Sequence, residues 1–295
     1  MHIRLQLAAA VAGLIAVPHA GGGAEVELLE CLDAIPTIVG TPGDDALAGT
    51  SRGDVIAGLG GADVITGSWG DDIICGGAGD DRIVAGTGLF ETDLVSGDAG
   101  SDVISTGSTF SVVLYAFAPG PVTVDLEEGT ATGWGTDTLL GVHRVAGTAF
   151  DDVLRGRRRF DCLDGLGGDD VLAAGAGDDC LYGGTGDDTV DGGEGVDLLS
   201  FRYSAKAVRV NLATGTASGE GVDRIVGVDE VVGSSFADVV TGDAGANVLT
   251  GEGGTDRLAG GAGADRLDGG PGRDRIDGGI GRDRCLNAEW RVRCP

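Results

Sequence analysis

Residues 183–197 read GGTGDDTVDGGEGVD. In isolation the stretch has the composition of a solvated linker, rich in Gly and Asp with little to bury. Its spacing says otherwise. Asp188 and Asp197 stand nine residues apart, and an apolar side chain follows each by two, Val190 and Leu199. The same nine-residue step runs outward through three blocks. The first carries Asp45, Asp54, Asp63, Asp72 and Asp81, then Asp93 and Asp102 after a three-residue insertion, LFE (89–91). The second runs from Asp152 through Asp161, Asp170 and Asp179 to Asp188 and Asp197. The third holds Asp238, Asn247, Asp256, Asp265, Asp274 and Asp283.

The shared unit is G-G-x-G-x-D-x-U-x, with U apolar. Ile56, Ile65, Ile74 and Ile83 are such U residues in the first block, and Leu249, Leu258 and Leu267 in the third. This pattern resembles the RTX, or haemolysin-type, calcium-binding nonapeptide repeat. The resemblance spans about residues 40 to 286. It implies an all-β fold, a right-handed parallel β-roll (a β-solenoid), with several Ca²⁺ ions bound in its glycine loops.

Elementary geometry leads the same way. An x-U-x triplet alternates outward, inward, outward, as a strand does. The loop must turn sharply, and Gly supplies the backbone freedom. Each nonapeptide is then half a coil and eighteen residues one turn, so loops eighteen apart stack about 4.8 Å apart. Stacking sets carboxylate on carboxylate, at a cost of roughly 1 to 3 kcal/mol per pair. A hard divalent cation with six or more oxygen ligands removes that conflict, and Ca²⁺ suits paired Asp plus loop carbonyls better than Mg²⁺ does. Zn²⁺ would call for His or Cys. The candidate metal ligands are Asp45, Asp54, Asp63, Asp72, Asp81, Asp152, Asp161, Asp170, Asp179, Asp188, Asp197, Asp238, Asp256, Asp265, Asp274 and Asp283. Asp170 is expected to share an ion with Asp188, and Asp179 with Asp197. The chain has 58 Gly, only 4% aromatics and a thin Val/Ile/Leu core, so folding is expected to depend on the ion.

The loops are unequal. Full G-G-x-G-x-D precedes Asp81, Asp188, Asp197, Asp265, Asp274 and Asp283, while the loops before Asp45, Asp63, Asp72, Asp170, Asp179 and Asp256 lack one or two Gly. Arg52 and Arg159 replace the third Gly before Asp54 and Asp161, and Phe150 and Phe236 replace it before Asp152 and Asp238. The Phe loops open blocks and read as caps. Asn247 is neutral, and Ser111 is too short to stand in for Asp.

A longer duplication overlies the repeat. Residues 122–156 align without gaps to 208–242, with about half the positions identical at an offset of 86. Its strand-like VTVDL and VRVNL (122–126 and 208–212) form β-rich bridges that extend the solenoid. The resulting organisation is a signal peptide (1–24), an N-terminal cap (25–39), block 1 (40–114), bridge 1 (115–146), block 2 (147–200), bridge 2 (201–232), block 3 (233–286) and a C-terminal cap (287–295).

Cys162 and Cys180, eighteen apart on the outward side of adjacent rungs, are placed to form a disulfide. Cys285 and Cys294 bracket a cap in which Trp290 would cover the open end, and by elimination Cys31 joins Cys75. Arg257, Arg266, Arg275 and Arg284 form an outward ladder near Asp268 and Asp277.

The leader has a basic start, a short apolar run (LQLAAAVAGLIAV) and small residues near 20–24, the layout of an export signal. Secretion to the extracellular space would suit six Cys. A net charge of -27 argues against nucleic acid and anionic membranes and for cations. GTSRG (49–53) matches a hydrolase nucleophile elbow only in letters, since Ser51 sits in a repeat loop. Trp134 and His143 become Glu220 and Asp229 in the duplicate, which argues against an active site there. The reading is a secreted, non-enzymatic calcium-binding protein. The alternative is an extracellular adhesion, matrix or glycan-binding module in which calcium is only structural.

Overall fold

The computed structural model describes residues 31–294 apart from Asp33, Thr87, Leu89 and Phe90. The expected signal peptide (1–24) and residues 25–30 and 33 of the N-terminal cap lie outside the described residues. Every regular element among the described residues is a β-strand. None is a helix long and apolar enough to cross a membrane.

Successive triplets land alternately on two sheets. One has 13 strands and is parallel throughout. The register is the predicted eighteen: Val171–Ala176 pairs Leu172 with Val190, and Cys162–Asp164 pairs Leu163 with Leu181. Where LFE intervenes the step becomes 21, Ile73 pairing with Leu94. Glu91 of the insertion reaches back to accept the Gly70 and Gly88 amides, each at 2.9 Å, which anchors the longer loop. The U residues of both sheets meet in one continuous core, and Ile56, Ile65, Ile74, Leu163, Leu172 and Leu249 are fully covered. Each such side chain contributes about 1.5–3 kcal/mol of apolar burial.

The second sheet has 17 strands, because each bridge adds a hairpin to it. Past Val112–Leu114 the chain skips ahead to strand Thr123–Asp125, beside Val153–Arg155. It then doubles back through Thr130–Thr132 to Thr136–Leu140, which docks parallel to Val103–Ser105. Bridge 2 repeats the path with Arg209–Asn211, Thr216–Ser218 and Val222–Val226. The first sheet passes each bridge unbroken, through Arg144–Ala146 and Glu230–Val232. The bridges therefore continue the solenoid, with an antiparallel detour that the strand pattern did not announce.

Three disulfides join Cys31 to Cys75, Cys162 to Cys180 and Cys285 to Cys294, the expected pairing. Cys162 and Cys180 face each other across adjacent strands, on the side opposite the core residues Leu163 and Leu181, and are covered there. At the C-terminal end the strand Trp290–Val292 adds to the sheet edge. The Trp290 ring does not plug the core. It is 52% exposed with the Arg273 guanidinium over its face. The four ladder arginines stack like on like, Arg257 beside Arg275 and Arg266 beside Arg284, exposed on their strands.

Candidate calcium loops

Two columns of carboxylates run the length of the solenoid, one at each edge. Within the blocks their linkage follows one rule: past the first turn, the Oδ1 of an Asp accepts the backbone N–H of the residue eighteen or twenty-one before it, itself an Asp or Asn247. Asp170 Oδ1 takes the Asp152 amide at 2.7 Å, Asp188 the Asp170 amide at 3.0 Å and Asp197 the Asp179 amide at 2.9 Å. The same bond joins Asp45 to Asp63, Asp63 to Asp81, Asp54 to Asp72, Asp238 to Asp256 and Asp265 to Asp283. The stacked pairs expected from the spacing are therefore brought together. Their link is a carboxylate on an amide, which removes part of the repulsion that bare stacking would create.

The second oxygen divides the carboxylates into two kinds. In Asp63, Asp72, Asp81, Asp102, Asp170, Asp179, Asp197, Asp256, Asp265, Asp274 and Asp283 it is buried without any hydrogen-bond partner. A buried, unpaired anionic oxygen is costly. Burial is the leading cause that raises Asp63, Asp72, Asp81, Asp102, Asp170, Asp179, Asp197, Asp256, Asp265 and Asp274, with neighbouring carboxylates adding to it. Asp72, Asp102 and Asp256 are pushed up to about 7, Asp170 to about 9, and Asp81 and Asp179 to about 6. Asp188 follows the same pattern at about 7.

The other kind is already satisfied. The residue four before the Asp donates its amide to Oδ2: Thr50 to Asp54 at 2.6 Å, Thr148 to Asp152 at 2.5 Å, Arg157 to Asp161 at 2.8 Å and Ser234 to Asp238 at 2.6 Å. Thr41 does the same for Asp45 at 2.5 Å, and Asp243 for the amide oxygen of Asn247 at 2.9 Å. Hydroxyls of Thr41, Thr50, Thr148 and Ser234 add a second bond, and the Arg157 guanidinium pairs with Asp161. For Asp54 the Thr50 amide is the largest influence and holds the carboxyl below its usual range.

Backbone conformation separates the same two sets. In the loop 183–188, Gly184 and Gly186 both have positive φ, 103° and 128°. A Cβ at Gly186 would lie 2.0 Å from the Gly168 carbonyl oxygen of the turn below. Loops lacking the first of these glycines keep the shape, with Leu59, Ser68, Leu166 and Glu252 held at positive φ. Where Arg or Phe replaces the second one, the loop adopts the capped form instead.

The donor set fits a hard cation. Orphaned carboxylate oxygens sit beside carbonyls of the next turn: an ideal Cβ at Gly165 would meet Asp170 Oδ2 at 2.1 Å and Gly183 O at 2.5 Å. Among the described residues no three acidic, His or Cys side chains cluster as a metal group, so backbone oxygens must supply most of any coordination shell. Ser51 is exposed in its loop, while His143 Nδ1 sits 3.0 Å from the Phe160 carbonyl and 3.7 Å from Asp161. They make no nucleophile–base pair.

Asp93 and Asp102, placed in the repeat run but not among the candidate ligands, accept amides of the turn before. Asp137, Asp223 and Asp229, which the sequence reading missed as column members, do so too, as does Glu289 from Asp274. Ser111, set aside as too short, fills the slot above Asp93 and donates its hydroxyl to Asp93 at 3.0 Å.

These features define a parallel β-solenoid whose glycine loops hold buried carboxylates in want of a cation. The model of the RTX calcium-binding nonapeptide repeat (4 copies) matches residues 48–83, 87–108, 146–181, 164–199, 226–258 and 250–285, more than half of the chain. The chain belongs to this family. No curated protein matches it significantly.

Proposed function

We propose that this is a secreted, non-enzymatic calcium-binding protein in which ion binding completes the fold. The observation that carries this reading is the set of buried Oδ2 atoms without a partner. Asp63, Asp72, Asp81, Asp102, Asp170, Asp179, Asp188, Asp197, Asp256, Asp265, Asp274 and Asp283 would hold Ca²⁺ together with loop carbonyls. Calcium supplies the positive charge and the extra oxygen coordination that these carboxylates lack. The chain's own part is to converge the oxygens, exclude water and fix the loop shape through its glycines. Asp45, Asp54, Asp152, Asp161 and Asp238 act as metal-free caps, because their own loops already serve the Oδ2 that the other carboxylates leave open. Three disulfides support export to an oxidising compartment.

Calorimetric Ca²⁺ titration, paired with circular dichroism in Ca²⁺ and in EDTA, tests the proposal. Saturable binding and a gain of strand signal on adding Ca²⁺ are expected. A full strand signal in EDTA, with no saturable uptake in the µM to mM range, would refute it.

A further inference from the structure

Each bridge contains a loop outside the nonapeptide run that nonetheless behaves as a repeat loop. In bridge 1 it is TGWGTD (132–137), and in bridge 2 SGEGVD (218–223). Both fall outside the matched repeat segments. Each ends in Asp followed two residues later by a buried apolar side chain, Leu139 or Ile225. Each sits on the loop below it as true repeats do. A Cβ at Gly135 or Gly221 would lie 1.4 or 1.7 Å from the carbonyl oxygen of Gly100 or Gly186. Asp137 Oδ1 accepts the Asp102 amide at 3.1 Å, and Asp223 Oδ1 the Asp188 amide at 3.2 Å.

The two copies differ at the other oxygen. Asp137 Oδ2 accepts the Tyr115 hydroxyl at 2.8 Å. The residue matching Tyr115 in the duplicate is Phe201, which has no hydroxyl. Its backbone is placed alike. Tyr115 and Phe201 donate to the corresponding Ala146 and Val232 carbonyls, and both accept from the residue three later. Asp223 is only 8% exposed; its hydrogen bond is made through Oδ1, and its Oδ2 is not among the fully buried, unpartnered oxygens of the columns. Asp187 and Glu220 lie close enough to add negative charge there.

We infer that bridge 2 holds an additional calcium position, built on Asp223 with Asp188, and that Tyr115 occupies the equivalent position in bridge 1 in place of an ion. A tyrosine hydroxyl can donate one hydrogen bond to a buried carboxylate. Without it, the same oxygen is open to a cation. The inference rests on the calcium-binding reading of the repeats.

Native mass spectrometry of the chain in saturating Ca²⁺ counts ions directly. Asp223→Asn and Phe201→Tyr should each bind one ion fewer than the parent chain, and Tyr115→Phe one more. Phe201→Tyr introduces the side chain native to the duplicate, so its fold is secure even if Asp223→Asn disturbs the rung. Circular dichroism confirms that each variant is folded. Unchanged counts in Phe201→Tyr and Tyr115→Phe, with the parent chain still binding several ions, overturn this inference alone. A parent chain that binds none overturns the calcium reading beneath it.

Discussion

Acid should stabilise this solenoid when calcium is withheld and destabilise it when calcium is present. Eight buried carboxylates, Asp72, Asp81, Asp102, Asp170, Asp179, Asp188, Asp223 and Asp256, are raised from 3.8 to between about 6 and about 9. A group with a raised folded pKa binds more protons when folded. Its contribution is complete below pH 3.8 and is lost as pH rises through the folded value. A shift of about 3 units corresponds to about 4 kcal/mol per group. These side chains lie at the solenoid edges, where solvent screens charge, so half of that, about 2 kcal/mol, is the better figure. Eight such groups cost on the order of 15 kcal/mol at pH 8, as much as the whole stability of an ordinary domain. At pH 5 more than half of that penalty is relieved. Thermal melts followed by circular dichroism in EDTA should therefore show the midpoint rising by at least ~10 °C between pH 8 and pH 5. In 5–10 mM Ca²⁺, above the ~0.1–1 mM Kd of a weak extracellular site, the midpoint should fall over the same range, because protons compete for the ligands. An EDTA midpoint that stays flat or falls on acidification would refute the argument that buried carboxylates oppose the metal-free fold.

Other perturbations separate the two kinds of loop. Thr148→Ala removes the hydroxyl that serves Asp152. It should cost about 1–3 kcal/mol in a denaturant melt at saturating Ca²⁺ and leave the ion count by mass spectrometry unchanged. Gly186→Ala forces a Cβ against the Gly168 carbonyl at φ 128°. It should cost about 1–3 kcal/mol in strain and also lower the ion count; an unchanged count would contradict the role of that glycine in shaping the site. Replacing Cys162 and Cys180 together by Ser opens a crosslink of sequence separation 18. Equilibrium unfolding should show a loss of about 3 kcal/mol, and no loss would contradict the chain-entropy argument.

The nine-residue step exposed most of the architecture, because a period of nine with one inward side chain permits few other structures. Strand placement, the eighteen-residue register and the Cys162–Cys180 disulfide followed from it, while the other two pairings came from the C-terminal cap and by elimination. The bridge loops were hidden for a physical reason. Asp137 and Asp223 stand 35 residues above their partners Asp102 and Asp188, since a hairpin intervenes, so a search for steps of nine passes over them. Their G-x-G-x-D core and their shared place in the duplication were visible signals. The capped loops were half legible. Arg52, Arg159, Phe150 and Phe236 marked them as unusual, but the deciding residues were Thr50, Arg157, Thr148 and Ser234, whose amides turn inward once the second glycine conformation is lost.

The capped loops are not scattered. They occupy the first turn of every block, one at each edge: the loops of Asp45 and Asp54, of Asp152 and Asp161, and of Asp238 and Asn247. A solenoid turn is stable only when it stacks on a neighbour, and a turn that needs an ion cannot form its site until that neighbour is in place. A first turn satisfied by its own Thr, Ser and Arg groups escapes this circularity. It presents formed strand edges and ordered carbonyls to the following turn, whose orphaned Oδ2 atoms then require calcium. The bridges serve the same end, because each returns the chain to both sheets in register just before a capped turn begins. Under the proposed calcium reading, loop degeneracy at the block starts is thus part of how a glycine-rich chain with a thin core would begin to fold, and the full repeats that follow are where calcium would be coupled to it.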